Sequence, residues 1–332
     1  MMAETFKALI VDKKEADFSV SIKDVTLQEL PEADVLIKVA YSGINYKDGL
    51  ASTPDGKIVR SYPFVPGIDL AGTVVTSSDP RFKEGDEVIA TSYEIGVSHF
   101  GGYSEYARIP GDWIVPLPKG LTLREAMVYG TAGLTAALSI QRLEDNGVTP
   151  EKGKILVTGA TGGVGSLAVS MLAKLGYSVV ASTGKESEHK FLRALGASEV
   201  ISREDVHNGK IKALDKQLWA GAVDPVGGET LAAIISKISY GGSVAVSGLT
   251  GGGNVPTSVF PFILRGVNLL GIDSVYCPME IREKVWNRMA DELKPENLLQ
   301  NIQKEITLEE LPKNLPILLK AQARGRILVK IS

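Results

Sequence analysis

The sequence predicts an α/β protein of two domains, a β-rich first part followed by a doubly wound parallel sheet. Three observations carry this. The chain has 332 residues, enough for two apolar cores of ordinary size. Its first third alternates short β-rich runs with Gly, Pro, Asn and Asp turns, the pattern of a compact barrel or sandwich. After residue 150 the rhythm changes to continuous apolar runs separated by helical segments, the pattern of a sheet covered on both faces.

In chain order, "FKALIV", "FSVSIKDV", "DVLIKVAYSG", "LAGTVVTS", "DEVIATSY", "YSEYARI" and "DWIVPL" read as strands between about residues 6 and 118. A long helix follows, opened by Thr122 and Glu125 in capping-box spacing; Gly130 and Gly133 mark a break or a close backbone approach within it. The strands "GKILVTGA", "YSVVAST", "SEVIS", "AGAVDPVG", "GSVAVSG" and "NLLGIDS" then alternate with helices. In the tail, Thr307 and Glu310 introduce a further helical segment, and the last strand, "RILVKI", is expected to return to the first domain. The expected division is residues 1–125, completed by about 300–332, and residues 126–299.

Charge and composition narrow the function. A formal net charge of -3, with both signs interspersed, leaves no basic surface for nucleic acid. No run approaches the ~18 apolar residues of a membrane span, and Glu4 with a short apolar segment after it reads as the approach to a strand and not as a signal peptide. A cytoplasmic protein is the expectation. Cys277 is the single cysteine, which rules out an intrachain disulfide and a cysteine-built zinc lobe.

The stretch "KILVTGATGGVGSLAVSMLAKLG" is a strand, a glycine turn and an amphipathic helix in succession. Such a turn brings backbone N–H groups and the positive end of a helix to a pyrophosphate, and only residues without a Cβ permit the approach. Gly159, Gly162, Gly163 and Gly165 are spaced for it. Where the second strand ends, "VVASTGK" has no acid to accept from a ribose 2′-hydroxyl. It has Ser182, Thr183, Gly184 and Lys185, and Arg203 follows the third strand; hydroxyls and cations there favour a 2′-phosphate, hence NADPH. Thr183 with Glu186 also matches a capping box, and the two roles are compatible.

A carboxylate, Asp69, stands inside the apolar run "FVPGIDLAG". Buried there, it needs a partner, a proton or water.

Taken together, "SGINYKDG", "PGIDLAG", "GTAGLTA", "ATGGVG" and the terminal "GRILVKI" resemble the medium-chain dehydrogenase/reductase superfamily over essentially the whole chain. The resemblance implies a GroES-like β-rich catalytic domain and a Rossmann cofactor domain. Zinc-dependent members carry a cysteine and a His-Glu pair where this chain has Asn45, Ile68 and Asp69. Zinc needs Cys, His or carboxylate donors converging in number, and Asp69 alone cannot hold it, so no metal is expected. This places the chain with the zinc-free quinone oxidoreductases. Segments such as "PFILRGVNLLGIDSV" and "KLGYSVVA" are similar to the YhdH/YhfP type, which includes NADPH-dependent acryloyl-coenzyme A reductases.

That resemblance implies hydride transfer to an activated double bond, most simply acryloyl-coenzyme A to propionyl-coenzyme A. A quinone is the alternative acceptor, and a non-enzymatic NADPH sensor or nucleic-acid binder is a third reading. Without zinc, charge on the substrate oxygen must be met by fixed donors and cations. Asn45, Asp69 and Arg326 are the implied active-site residues, with Asp69 expected to pair with Arg326 or Lys47. Each also has a plainer reading: Asn45 as a turn residue, Asp69 as partner of a backbone amide, Arg326 as an exposed strand residue. The implied cofactor contacts are Tyr46, Thr161, Gly162, Gly163, Val164, Thr183, Gly184, Lys185, Arg203, Leu249, Ile263 and Ser274. Lys47, Lys57 and Arg60 are candidates for the phosphates of a coenzyme A tail, or solvated loop charges. Ser274 closes an expected edge strand, whose pairing with a second copy would make a homodimer.

Overall fold

The computed structural model describes residues 5–15, 17–320 and 323–332; Glu4 lies outside them. The chain divides into two compact units: residues 1–131 with 275–284 and 302–332, and residues 132–274 with 285–301.

In the first unit, a sheet of seven strands runs Ile302–Thr307, Arg326–Lys330, Val35–Gly43, Asp69–Ser77, Glu87–Thr91 and Ile114–Pro116, with Tyr106–Ile109 also paired to Val35–Gly43. Val35, Ile37 and Val39 alternate along one strand face and bury fully against Leu70, Val74, Val88, Ala90 and Ile109. Each such side chain contributes about 1.5–3 kcal/mol of burial. The terminal strand pairs antiparallel with Val35–Gly43, Leu328 opposite Gly43, which carries Arg326 to the end of that strand. Two features depart from the expectation. "FKALIV" and "FSVSIKDV" form a separate antiparallel pair, Thr5–Lys14 with Asp17–Thr26. Ile302–Thr307 is a strand parallel to Arg326–Lys330, although the short run "IQKEIT" carries no strong strand signal of its own.

Residues 275–284, grouped by sequence with the cofactor domain, pack instead in the first unit. The reason is Arg282. It is fully buried, donates to the Thr91 carbonyl and hydroxyl, both at 3.0 Å, and lies 4.3 Å over the Tyr93 ring.

The second unit holds a six-stranded parallel sheet in the order Glu199–Ile201, Val179–Ser182, Ile155–Val157, Trp219–Asp224, Ile238–Val246, Asn268–Gly271. The strand order reverses beside Ile155–Val157, the switch point at which open sheets of this kind bind ligands. Ile155, Leu156 and Val157 have no exposed surface, as expected of a strand covered on both faces. Asn268–Gly271 forms an edge of the sheet, and Ser274 lies three residues beyond it.

Two of the three capping boxes read from sequence are formed: Glu125 accepts from the Thr122 amide at 3.0 Å, and Glu310 from the Thr307 amide at 2.9 Å. The Thr183–Glu186 box is not. Lys185 precedes the short helical turn Glu186–Glu188, and its amide donates to the Thr183 hydroxyl at 3.1 Å.

Candidate functional site

In the first unit, Asn45, Asp69 and Arg326 meet in one buried network. Asp69 has no exposed surface, and three neighbouring residues answer its carboxylate. The Thr131 hydroxyl donates to Oδ1 at 2.5 Å and the Thr131 amide reaches both oxygens at 3.0 Å. Asn45 Nδ2 donates to Oδ2 at 2.8 Å, and Arg326 Nη2 stands 3.6 Å from Oδ2. Lys47 is not among them. Arg326 is only 2% exposed, which excludes the exposed-strand reading. Its Nε donates to the Val128 carbonyl, and Nη1 donates to the Ile44 carbonyl and to Asn45 Oδ1 at 3.0 Å. Burial lowers the guanidinium's pKa from its ordinary value, opposed by the charges of Asp69 and then Asp48. The Asn45 amide is therefore held at both ends, oxygen toward Arg326 and nitrogen toward Asp69.

Backbone shape makes room for this. The helix Leu123–Asp145 is broken at Gly130, where φ is +51° and ψ is -154°. A Cβ on Gly130 would stand 2.3 Å from Asp69 Oδ2 and 3.0 Å from Arg326 Nη2, so only glycine fits the break. The break takes the Thr131 amide out of the regular helical pattern and turns it to Asp69.

Sequence reasoning missed Asp48. It has no exposed surface; Oδ2 accepts from the Asn45 amide at 2.8 Å and Oδ1 from the Ile68 amide at 2.9 Å. Burial, and then the neighbouring charge of Asp69, pushes its carboxyl up to about 7. The signal was present: "NYKD" puts Asn and Asp at N-cap and N3 of Tyr46–Ala51, a capping pair. Tyr103, whose hydroxyl donates to the Gly43 carbonyl at 3.1 Å, and Ser92, whose hydroxyl lies 2.8 Å from that of Thr131, complete the surroundings.

The donor set does not fit zinc. Asn45 and Ile68 offer no metal-binding atoms of the required kind, the oxygens of Asp69 are engaged, and a buried guanidinium already places positive charge there. Among the described residues no group of three or more His, Cys, Asp or Glu side chains is placed to hold a metal.

In the second unit the glycine turn has the shape a pyrophosphate requires. Gly159 adopts φ +52°, and a Cβ on Gly165 would stand 2.4 Å from the Gly159 carbonyl oxygen. The helix Gly163–Lys174 starts from Gly162 with no side chain capping its first amides. Thr161 is buried at this turn, while Gly162, Gly163 and Val164 are half-buried. Thr183 is also buried, and Arg203 packs on Gly184, where a Cβ would stand 3.0 Å from Nε. Partial burial lowers the Lys185 pKa, opposed by the charge of Glu188 and helped by a smaller contribution from Arg203. Ser274 accepts from the Thr135 hydroxyl at 2.8 Å. Leu249 and Ile263 are 71% and 69% exposed.

Two family models match the sequence: the alcohol dehydrogenase GroES-like domain over residues 31–119, and zinc-binding dehydrogenase over residues 163–291. The putative quinone oxidoreductase YhfP of Bacillus subtilis is 64% identical over 99% of this chain and 100% of its own. The probable acrylyl-CoA reductase AcuI of Escherichia coli is 48% identical over 98% of this chain and 100% of its own. Among solved structures, B. subtilis YhfP with NAD bound superimposes with a TM-score of 0.97 at 65% identity, covering 99% of this chain and 100% of that one. YhdH of Salmonella enterica in complex with NADP gives 0.95 at 47% identity, covering 98% and 100%.

Proposed function

Because this chain belongs to the medium-chain dehydrogenase/reductase superfamily, we propose that it is a zinc-independent, NADPH-dependent reductase of activated double bonds, converting acryloyl-coenzyme A to propionyl-coenzyme A. The observation that carries this reading is the buried Asn45–Asp69–Arg326–Thr131 network, which fixes hydrogen-bond donors in place and leaves no set of metal ligands.

NADPH, when bound, supplies the hydride. The residues that would hold it are the turn Thr161–Val164 for the pyrophosphate and Thr183, Gly184, Lys185 and Arg203 for the 2′-phosphate, with Tyr46, Leu249, Ile263 and Ser274 as further contacts. The chain's own task is to meet the charge that appears on the thioester oxygen. Asn45 suits it. One hydrogen of its amide goes to Asp69 and its oxygen accepts from Arg326, so the second N–H is fixed in direction before substrate arrives. Arg326 acts through Asn45 and Asp69 as a positioning residue, because it is buried. Thr131 holds Asp69 from the other side.

Support for the acceptor comes from the acrylyl-CoA reductases, which match along their whole length. A quinone is the second reading, favoured by the 64% identity to YhfP. A net charge of -3 weighs against nucleic acid. We read the protein as a cytoplasmic homodimer, joined through the edge strand Asn268–Gly271; no helix among the described residues is long and apolar enough to cross a membrane.

The test is NADPH oxidation against a panel of enoyl thioesters, enones and quinones. The reading expects kcat/KM for acryloyl-coenzyme A to exceed that for simple quinones, and NADPH to be used in preference to NADH. A preference for quinones by orders of magnitude would reverse it.

A further inference from the structure

After the strand Glu87–Thr91 the chain turns sharply through Ser92 and Tyr93, both at positive φ (+64° and +49°). Residues without glycine's freedom persist there only when their surroundings hold them, and such strain gathers at ligand-binding segments. The surroundings are strong. Tyr93 stacks on Trp113, with ring centroids 5.7 Å apart, beneath the guanidinium of Arg282, and the Glu94 carbonyl accepts from the amides of Val97, Ser98 and His99.

This rigid turn presents Glu94. Its Oε1 accepts from the Tyr276 hydroxyl and its Oε2 from the Ser98 hydroxyl, so the carboxylate is pinned from two sides. Arg60 Nη2 lies 3.8 Å from Oε2. The Ser98 and Tyr276 hydrogen bonds, then the charges of Arg60 and Lys47, hold the carboxyl below its ordinary range against the opposing effect of burial. The two cations are held loosely by comparison. Among the described residues neither Lys47 nor Arg60 donates a hydrogen bond, and the Arg60 side chain is 68% exposed. An exposed pair at this spacing contributes little. Lys57, grouped with these two in the sequence, forms no ion pair among the described residues. Lys47 stands two residues from Asn45, in the first turn of the helix Tyr46–Ala51 that Asn45 caps.

We propose that Glu94 is a specificity-determining residue: a fixed internal counter-anion for Lys47 and Arg60 that must share them with the phosphates of a coenzyme A tail. This rests on the thioester reading of the substrate. A phosphate offers more charge and better hydrogen-bond geometry to Arg60 than a carboxylate 3.8 Å away, and therefore recruits both cations. Glu94 stays in place and opposes that recruitment. The same carboxylate has no effect on an uncharged acceptor.

The experiment compares acryloyl-coenzyme A with acryloyl-pantetheine, which has the same reacting group and no phosphate. Glu94→Gln should lower KM for acryloyl-coenzyme A several-fold, about threefold to tenfold, and leave acryloyl-pantetheine within about twofold. The Lys47→Ala/Arg60→Ala double variant should reduce the ratio of kcat/KM between the two substrates about tenfold or more. If Glu94→Gln shifts both substrates equally, or raises KM for the coenzyme A thioester, the proposal is overturned. Calorimetric titration of free coenzyme A into NADP⁺-loaded protein separates the two readings. Tighter binding by Glu94→Gln without turnover of any thioester would defeat the reductase reading and uphold this one. Coenzyme A binding indifferent to Glu94, Lys47 and Arg60, in protein that does reduce acryloyl-coenzyme A, would defeat this one alone.

Discussion

Asp48 makes the stability of the first unit depend on pH in a direction opposite to that of an ordinary carboxylate. Its folded-state value of about 7 stands above the reference of 3.8, so the native protein holds a proton there that the unfolded chain has released. The contribution is complete below about pH 4, declines as pH rises, and is gone above about pH 7. A rise of that size, at about 1.4 kcal/mol for each tenfold change in proton affinity, amounts to about 4 kcal/mol in all, of which about 3 kcal/mol is lost between pH 5 and pH 8. The perturbation is Asp48→Asn, which cannot ionise. Asparagine accepts with one oxygen and so loses one of the two amides, from Asn45 and Ile68, that the carboxyl now takes. That loss costs about 1–3 kcal/mol at every pH. The informative quantity is accordingly the slope. In urea unfolding of the two proteins in parallel, the stability difference should move in the variant's favour by about 3 kcal/mol from pH 5 to pH 8, while all other groups cancel. Carbon-13 labelling of aspartate carboxyls gives the direct check, the Asp48 resonance being the one missing from the variant. A difference constant with pH, or a carboxyl that titrates near the ordinary carboxylate value, would refute the reasoning.

Asp69→Asn should lower turnover about tenfold or more while NADPH affinity stays nearly intact, because it removes the acceptor that fixes Asn45 and Thr131; steady-state kinetics and a dinucleotide titration read the two separately, and an unchanged kcat would remove Asp69 from the mechanism. Gly130→Ala should cost about 2–3 kcal/mol, seen as a melting temperature lower by roughly 5 °C or more, since its Cβ would meet Asp69 Oδ2 at 2.3 Å on a backbone at φ +51°. A variant that melts with the wild type would show that the break is not demanded by the network. Lys185→Ala and Arg203→Ala should each reduce the preference for NADPH over NADH about tenfold, measured as the ratio of kcat/KM. Equal losses with both dinucleotides would mean that neither cation reads the 2′-phosphate.

Much of this protein was legible in its sequence because the signals are local. Continuous apolar runs, a glycine turn between strand and helix, and capping pairs such as Thr122–Glu125 depend on neighbours a few residues away. The absence of an acid after "VVAS", and Asn45 and Ile68 in place of metal donors, are likewise read by position. The short strand Ile302–Thr307 was not legible, since its order comes from pairing with Arg326–Lys330.

The sequence by itself determined the two kinds of domain and the glycine turn that opens the helix Gly163–Lys174. It also marked Asp69 as a charge in need of an answer. Only the tertiary structure decided what answers it. Asn45, Asp69, Thr131 and Arg326 lie far apart in the chain, and whether Arg326 or Lys47 meets the carboxylate depends on which strand comes to lie beside Val35–Gly43. The same holds for Asp48, whose raised affinity for a proton is created by complete burial beside a second carboxylate. Burial and proximity belong to the folded chain as a whole, and no local pattern encodes them.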